Sequence, residues 1–275
     1  MNEKAIEIFN LSFKYPPQEK NMLNDVNFFI DKGEKVALMG ESGKGKSTLL
    51  RLIASFEKTQ EGNIKINSKE IDEKLVDDIV SYLPQDANKA LFPWKTAKDN
   101  LYYPTKLRNG YLTEENKKFC NDCIDDFNLK GVLQNFPLKL SGGEKKRLSV
   151  IMALSVKPDI VLLDEPFAGL DFATAENLWK FLRKYFIEHN TTVLLVTHSI
   201  DEAAVMADRV VFLDKEGKIV PLENDSFKKY ANQLTTKEDK SKLDNPGELL
   251  LLPQFNEYKK KIKKGYEKNC TKRTE

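Results

Sequence analysis

The stretch Val36-Ala37-Leu38-Met39-Gly40-Glu41-Ser42-Gly43-Lys44-Gly45-Lys46-Ser47-Thr48 decides how the rest of the chain is read. Four apolar residues in a row, without alternation, are the pattern of a strand buried on both faces of a parallel sheet. The run from Gly40 to Ser47 then matches G-x-x-x-x-G-K-S in full, and a helix is expected to start near Lys46. Between a strand and a helix, a loop of this composition curls its backbone N–H groups onto phosphate oxygens, because glycine tolerates the curl. The helix behind it adds the partial positive charge of its N-terminus. Gly40, Glu41, Ser42, Gly43, Lys44, Gly45 and Thr48 are therefore candidate phosphate-loop contacts. Lys46 reaches the β- and γ-phosphates of a nucleotide, and Ser47 is placed to ligate Mg²⁺. A glycine-rich turn without a ligand is the alternative, and the strand before and helix after the loop argue against it.

Further along, Ile160-Val161-Leu162-Leu163 ends in Asp164-Glu165. A buried strand delivers its last residues to the carboxyl edge of the sheet, where ligands of open α/β sheets bind. Asp164 is placed to hold Mg²⁺ directly or through water, and Glu165 to orient and deprotonate an attacking water. A solvated acidic pair at a strand end is common in isolation, but it is a poor account of two such motifs in one chain. Buried-strand character returns at 192–196 and 209–213, with helical stretches between, including 173–188. Strand and helix in alternation predict a parallel sheet with helices on its faces.

Ahead of the phosphate loop, Ala5-Ile6-Glu7-Ile8-Phe9 and Val26-Asn27-Phe28-Phe29-Ile30 alternate at period two, and Asn63-Ile64-Lys65-Ile66 does so after it. Val80-Ser81-Tyr82-Leu83 reads as a strand that ends at Pro84. Over about 86–157 the apolar residues recur at helical spacing instead. The expected fold class is α/β: a P-loop NTPase core with an N-terminal antiparallel β subdomain and an inserted α-helical subdomain. The expected division is an ATPase domain over 1–224 and a Lys-rich C-terminal extension over 225–275.

Net charge is +2, from 44 basic and 42 acidic residues, too balanced to argue for nucleic-acid binding. No apolar run reaches the ~18–20 residues of a membrane span, and the first residues carry no secretory signal. The odd count of three cysteines suggests no disulfide framework, which predicts a reducing, cytoplasmic setting. Cys120 and Cys123 have C-x-x-C spacing but no second pair, so two packed helical cysteines are the better reading than a metal or redox site. The lysines crowded over 259–264 read as a solvated or partly disordered tail, the alternative being contact with acidic headgroups or a partner subunit. Leu249 to Leu252 hints at one short packed element there.

Leu140-Ser141-Gly142-Gly143-Glu144-Lys145-Lys146-Arg147 resembles the signature motif of ABC-type ATPases, and it lies upstream of Asp164 as in that family. The other family motifs stand in order. Tyr15 resembles the aromatic that stacks on adenine, and Gln85 the glutamine that senses Mg²⁺ and the nucleophilic water. Ala168-Gly169-Leu170-Asp171 resembles the loop that crosses the dimer interface, and His198 the histidine that contacts the γ-phosphate. Read singly, Tyr15 is also explained by core packing, Gln85 as a surface glutamine and His198 as a satisfied strand-end histidine. The resemblance covers about 5–222.

It implies binding and hydrolysis of ATP with Mg²⁺ in a head-to-tail dimer. In that dimer the phosphate loop of one subunit faces the Ser141, Gly142, Gly143 and Glu144 segment of the other, with Asp171 at the interface. Implied partners are a second ATPase subunit, giving a homodimer, transmembrane permease subunits, and an extracytoplasmic solute-binding protein. The implied place is the cytoplasmic face of the membrane, with no direct nucleic-acid contact. Leu91-Phe92-Pro93-Trp94-Lys95-Thr96 through Asn100 resembles the stretch after the glutamine in importer ATPases of the nitrate, sulfonate and taurine group. There Phe92, Pro93 and Trp94 shape a groove for the membrane subunit; the alternative is that Trp94 is core of the helical insertion. Departures from the family pattern are Lys44, Lys145, Ile151-Met152-Ala153 and Ser68-Lys69. None removes a group that catalysis needs. A non-transport ATP switch acting on nucleic acid or a regulatory partner is the second reading, with the lysine-rich tail as its support.

Overall fold

The computed structural model describes residues 3–17, 19–222 and 245–271. The chain opens with β1 (Lys4–Phe13) and β2 (Leu23–Asp31), turns at Gly33 into β3 (Lys35–Met39), and enters α1 (Lys46–Ile53). β4 (Glu61–Ile66) and β5 (Lys69–Glu70) form a hairpin, and α2 (Glu73–Ile79) leads into β6 (Val80–Leu83). Three helices then follow with no strand between them: α3 (Ala97–Asn109), α4 (Glu114–Asp126) and α5 (Gly142–Ser155). β7 (Ile160–Asp164), α6 (Phe172–Glu188), β8 (Thr192–Val196), α7 (Ile200–Met206), β9 (Arg209–Leu213) and β10 (Ile219–Pro221) complete the core. Beyond 244 come the short α8 (Pro246–Leu249) and α9 (Pro253–Cys270).

Two sheets result. The first is antiparallel, in order β2-β1-β4-β5, and its register sets Ile6 opposite Ile66 and Ile8 opposite Ile64. That isoleucine ladder is the period-two pattern of the sequence turned into a buried face. The second sheet runs β10-β9-β3-β8-β7-β6, parallel except for the β9–β10 hairpin. Its strands β3, β7, β8 and β9 are buried on both faces and sort their side chains by parity. Val36 and Leu38, Leu162, and Leu194 and Val196 point to a core shared with α1 and the antiparallel sheet. On the opposite face, Val161 and Leu163, and Val193 and Leu195, meet α5 and α6. Ala37, Met39, Val210 and Phe212 meet α7 and α9.

The C-terminal segment departs from the solvated tail expected of it. Residues 223–244 and 272–275 lie outside the described residues, but 245–271 is packed structure. Phe255, Tyr258, Ile262 and Cys270 of α9 are buried against α7 and β9. Gly265 makes the approach possible, since a Cβ there would stand 2.8 Å from the Phe212 ring. Leu249 is buried, as the packed element expected at 249–252 requires. Cys120 and Cys123 are free, buried thiols in the core of the helical region; burial pushes Cys120 up to about 12, far from a reactive thiolate.

Candidate functional site

All four strand ends that matter open at one edge of the parallel sheet. β3 delivers the phosphate loop, β6 delivers Gln85, β7 delivers Asp164 and Glu165, and β8 delivers His198. Ser42, Gly43, Gly45, Lys46, Ser47, Thr48, Gln85, Glu165 and His198 line one cleft of about 420 Å³, together with Met22. The loop has the curl its glycines predict. Gly45 caps α1 at φ 103°, and a Cβ there would lie 2.7 Å from Met22 Cγ. Lys46 is buried, and its ammonium donates to the carbonyls of Gly40 and Glu41, both at 2.8 Å. Burial lowers its pKa, while the charges of Glu165 and Asp164 pull the other way.

Asp164 is buried at the end of β7, lining an adjoining cavity that shares Ser47 and Gln85 with this cleft, and burial raises its pKa. Tyr82 donates its hydroxyl to Oδ2 at 3.3 Å, and the Ser47 hydroxyl favours the charged carboxylate. The other oxygen, Oδ1, is buried with no hydrogen-bond donor. A buried carboxylate oxygen without a donor, beside a serine hydroxyl and a glutamine amide, is an all-oxygen donor set that suits a small hard cation such as Mg²⁺. Among the described residues no group of three or more His, Cys, Asp or Glu side chains is arranged to hold a metal ion.

Glu165 sits at φ 46°, in the left-handed region, with its N–H donated to the Val196 carbonyl at 3.0 Å. The backbone conformation turns its side chain away from the strand direction and into the cleft. Gln85 Nε2 donates to Glu165 Oε2 at 2.9 Å, and His198 Nδ1 stands 3.4 Å from Oε1. Two candidates from two strand ends, Gln85 and His198, are thus brought onto the carboxylate of a third, Glu165.

Other candidates stand apart from this cleft. Ser141 caps α5 in a capping box: its hydroxyl accepts from the N–H of Glu144, whose carboxylate accepts from the N–H of Ser141 at 2.7 Å. Ser141 and Gly142 are exposed, and Gly143 and Glu144 partly so. Asp171 caps α6 by accepting from Thr174, which lowers its pKa. Tyr15 packs edge-on to Phe13 and donates its hydroxyl to Glu57 at 3.2 Å, so both packing and polar contacts hold it outside the phosphate cleft. Trp94 is 70% exposed, against its reading as core of the helical insertion, and among the described residues its ring contact is a tilted one with Phe92. Missed in the sequence were Tyr82, with its hold on Asp164, and Met22. So was Lys146, a buried ammonium behind Glu165. Lys146 lies in the charged run Glu144-Lys145-Lys146-Arg147, and the sequence alone does not set it apart from its neighbours.

Comparison with known proteins places this geometry. The family profile described as "ABC transporter" matches residues 23–168. The aliphatic sulfonates import ATP-binding protein of Zymomonas mobilis is 40% identical over 215 residues, 78% of this chain and 84% of that one. The nitrate import ATP-binding protein of Synechococcus elongatus is 37% identical, over 70% of this chain and 69% of its own. The bicarbonate transport ATP-binding protein of the same organism is 34% identical, over 76% and 74%. Among solved structures, a dimeric ATP-binding cassette in a post-hydrolysis state with ADP and Pi superposes with a TM-score of 0.71 at 30% identity. That match covers 81% of this chain and 98% of the cassette.

Proposed function

The chain belongs to the ABC transporter family, and from that premise we propose that it is the ATP-hydrolysing subunit of an importer for a small anion or related nutrient. Its relatives' names, sulfonate, nitrate and bicarbonate, support the class of cargo. The convergence of Gln85, Glu165 and His198 on a lysine-containing phosphate cleft carries the reading. Gly40 to Thr48 hold the phosphates, with Lys46 turning from its loop carbonyls to the β- and γ-oxygens. Ser47, Asp164 and Gln85 would hold Mg²⁺, which when bound neutralises charge on those oxygens. Glu165 accepts the proton of the attacking water, Gln85 and His198 fix its carboxylate, and His198 also faces the γ-phosphate. Tyr15 supports the adenine ring.

The exposed Ser141 helix start has its own N–H groups to offer an anion, yet it stands outside its own chain's cleft. A second copy, related by a two-fold axis, supplies it to the γ-phosphate of the first, with Asp171 at the shared interface. A dimeric cassette among the solved neighbours supports this arrangement. ATP joins the two copies and hydrolysis releases them, a cycle that can drive permease subunits docked near Trp94. Among the described residues no helix is long and apolar enough to cross a membrane, and the proposal gives the spanning parts to the permease subunits. The setting is the cytoplasmic face of the membrane, with a solute-binding protein on the far side.

The test is Glu165→Gln. Turnover is expected to fall by about three orders of magnitude while Mg-ATP still binds. Light scattering should then show a stable dimer at saturating Mg-ATP. A variant that stays monomeric, or keeps turning over, removes the basis for the scheme.

A further inference from the structure

Lys146 is 4% exposed, one turn into α5, the helix that begins at Ser141. Among the described residues its ammonium has no carboxylate in hydrogen-bond contact. It donates instead to two backbone carbonyls from separate segments, Gln85 O at 2.8 Å and Glu165 O at 3.2 Å. These are the same two residues whose side chains meet at 2.9 Å. Gln85 and Glu165 are therefore joined twice, once side chain to side chain and once through Lys146, and the connections close a ring. The Glu165 peptide is held from both sides: its N–H on Val196, its carbonyl on Lys146 and on the N–H of Ala168. That residue is a non-glycine at positive φ, which persists only where its surroundings over-determine it.

A buried ammonium is an expensive way to fill space, and a packing role needs only its methylenes. Burial lowers the Lys146 pKa while the carboxylates of Asp164 and Glu165 favour the charged form.

We propose that Lys146 is a positioning residue for hydrolysis: its ammonium fixes the backbone of Gln85 and Glu165, and so aims the general base. The inference rests on the role given to Glu165 above. It assigns to α5 a second duty, since the helix that presents Ser141 to a partner's nucleotide also steadies the base of its own site. A base displaced by about 1 Å loses about a hundred-fold in rate, so loosening that backbone acts on chemistry more than on binding.

The experiment compares Lys146→Met and Lys146→Gln with the parent chain, using Mg-ATP turnover, ATP affinity and circular dichroism. Lys146→Met keeps the stem and removes the donors; kcat is expected to fall about ten-fold or more, with ATP affinity within about three-fold. Lys146→Gln keeps a shorter donor and should fall between the two, about three-fold or more below the parent. The Mg²⁺ needed for half-maximal turnover should rise in both, because the Gln85 segment is loosened; a lysine that only fills space moves stability and leaves this titration unchanged. A folded variant of either kind with kcat within about two-fold of the parent overturns the proposal. So does a loss confined to ATP affinity. If Lys146→Met fails to fold, Lys146→Gln decides on the same limits. A parent chain without ATPase activity sinks the functional reading and this inference with it. An active parent that Glu165→Gln silences, beside unaffected Lys146 variants, sinks the inference alone.

Discussion

Glu202 shows how a single carboxyl group near the site shapes stability. It lies in the first turn of α7 and accepts a hydrogen bond from the Thr197 hydroxyl. Burial raises its pKa above the ordinary 4.5, against the Thr197 bond and the charge of His198. The native state thus binds this proton more tightly than the unfolded chain. Stability from that preference is full below about pH 4.5 and is lost as pH rises through the native value. Glu202→Gln keeps an acceptor for Thr197 and removes the charge. The variant is expected to unfold at a higher temperature than the parent at pH 7.5, with the advantage shrinking toward pH 4.5. Thermal unfolding across that range checks it, and an advantage that grows on acidification contradicts the sign. Neither this carboxyl nor the Tyr82–Asp164 bond was legible in the sequence. Both depend on which side chains a parallel sheet brings together at its edge, and spacing along the chain does not carry that.

Among the elements, α5 most clearly combines a folding device with a surface. Ser141 caps the helix and also heads the exposed start proposed to meet a partner's phosphate, so Ser141→Ala confounds the two roles. Alanine there costs about 1 kcal/mol of capping as well as the hydroxyl. Asparagine caps about as well as serine, so Ser141→Asn should hold stability within about 0.5 kcal/mol. Its longer side chain obstructs a phosphate approaching the helix start. In the Glu165→Gln background, ATP-driven dimerisation should therefore be lost while the melting temperature moves by no more than about 2 °C. Dimerisation that survives the asparagine would place the partner's phosphate elsewhere.

α9 carries the opposite lesson in legibility. Phe255, Tyr258, Ile262, Tyr266 and Cys270 recur at helical spacing, but the lysines between them dominate the composition. A composition reading sees a solvated tail, whereas a periodicity reading finds the stripe that covers β9. Strands β3, β7 and β8 were legible because burial on both faces leaves no room for polar residues. The tight hairpin between β4 and β5 was not, because Asn67 and Ser68 adopt positive φ where glycine is the usual signal.

At the scale of the whole molecule, the cleft and the surface proposed for permease docking lie on different parts of the fold. The cleft sits at the sheet edge, and Trp94 stands on the helical segment between β6 and β7, 70% exposed. Phe92 bridges Trp94 and Tyr103 by ring contacts at 5.6 and 4.7 Å, and Lys95 lies over the Tyr103 ring. Asn100, buried beneath, donates to the carbonyls of Phe92, Lys95 and Thr96 and accepts from the Phe92 N–H. The loop is thereby held rigid by a side chain that makes no use of Trp94. An exposed indole on a rigid loop has the features of an interface anchor: large area, little entropy to lose, and no part in the fold. Trp94→Ala should leave stability within about 0.5 kcal/mol, as for a surface substitution. ATP turnover of the isolated chain should stay within about two-fold. Truncation of an interface tryptophan costs about 2 kcal/mol or more, so recruitment to permease-containing membranes should weaken by about thirty-fold. Sedimentation of the two proteins with such membranes reads this directly. Equal recruitment of both, with Asn100 still anchoring the loop, would move the docking surface away from Trp94.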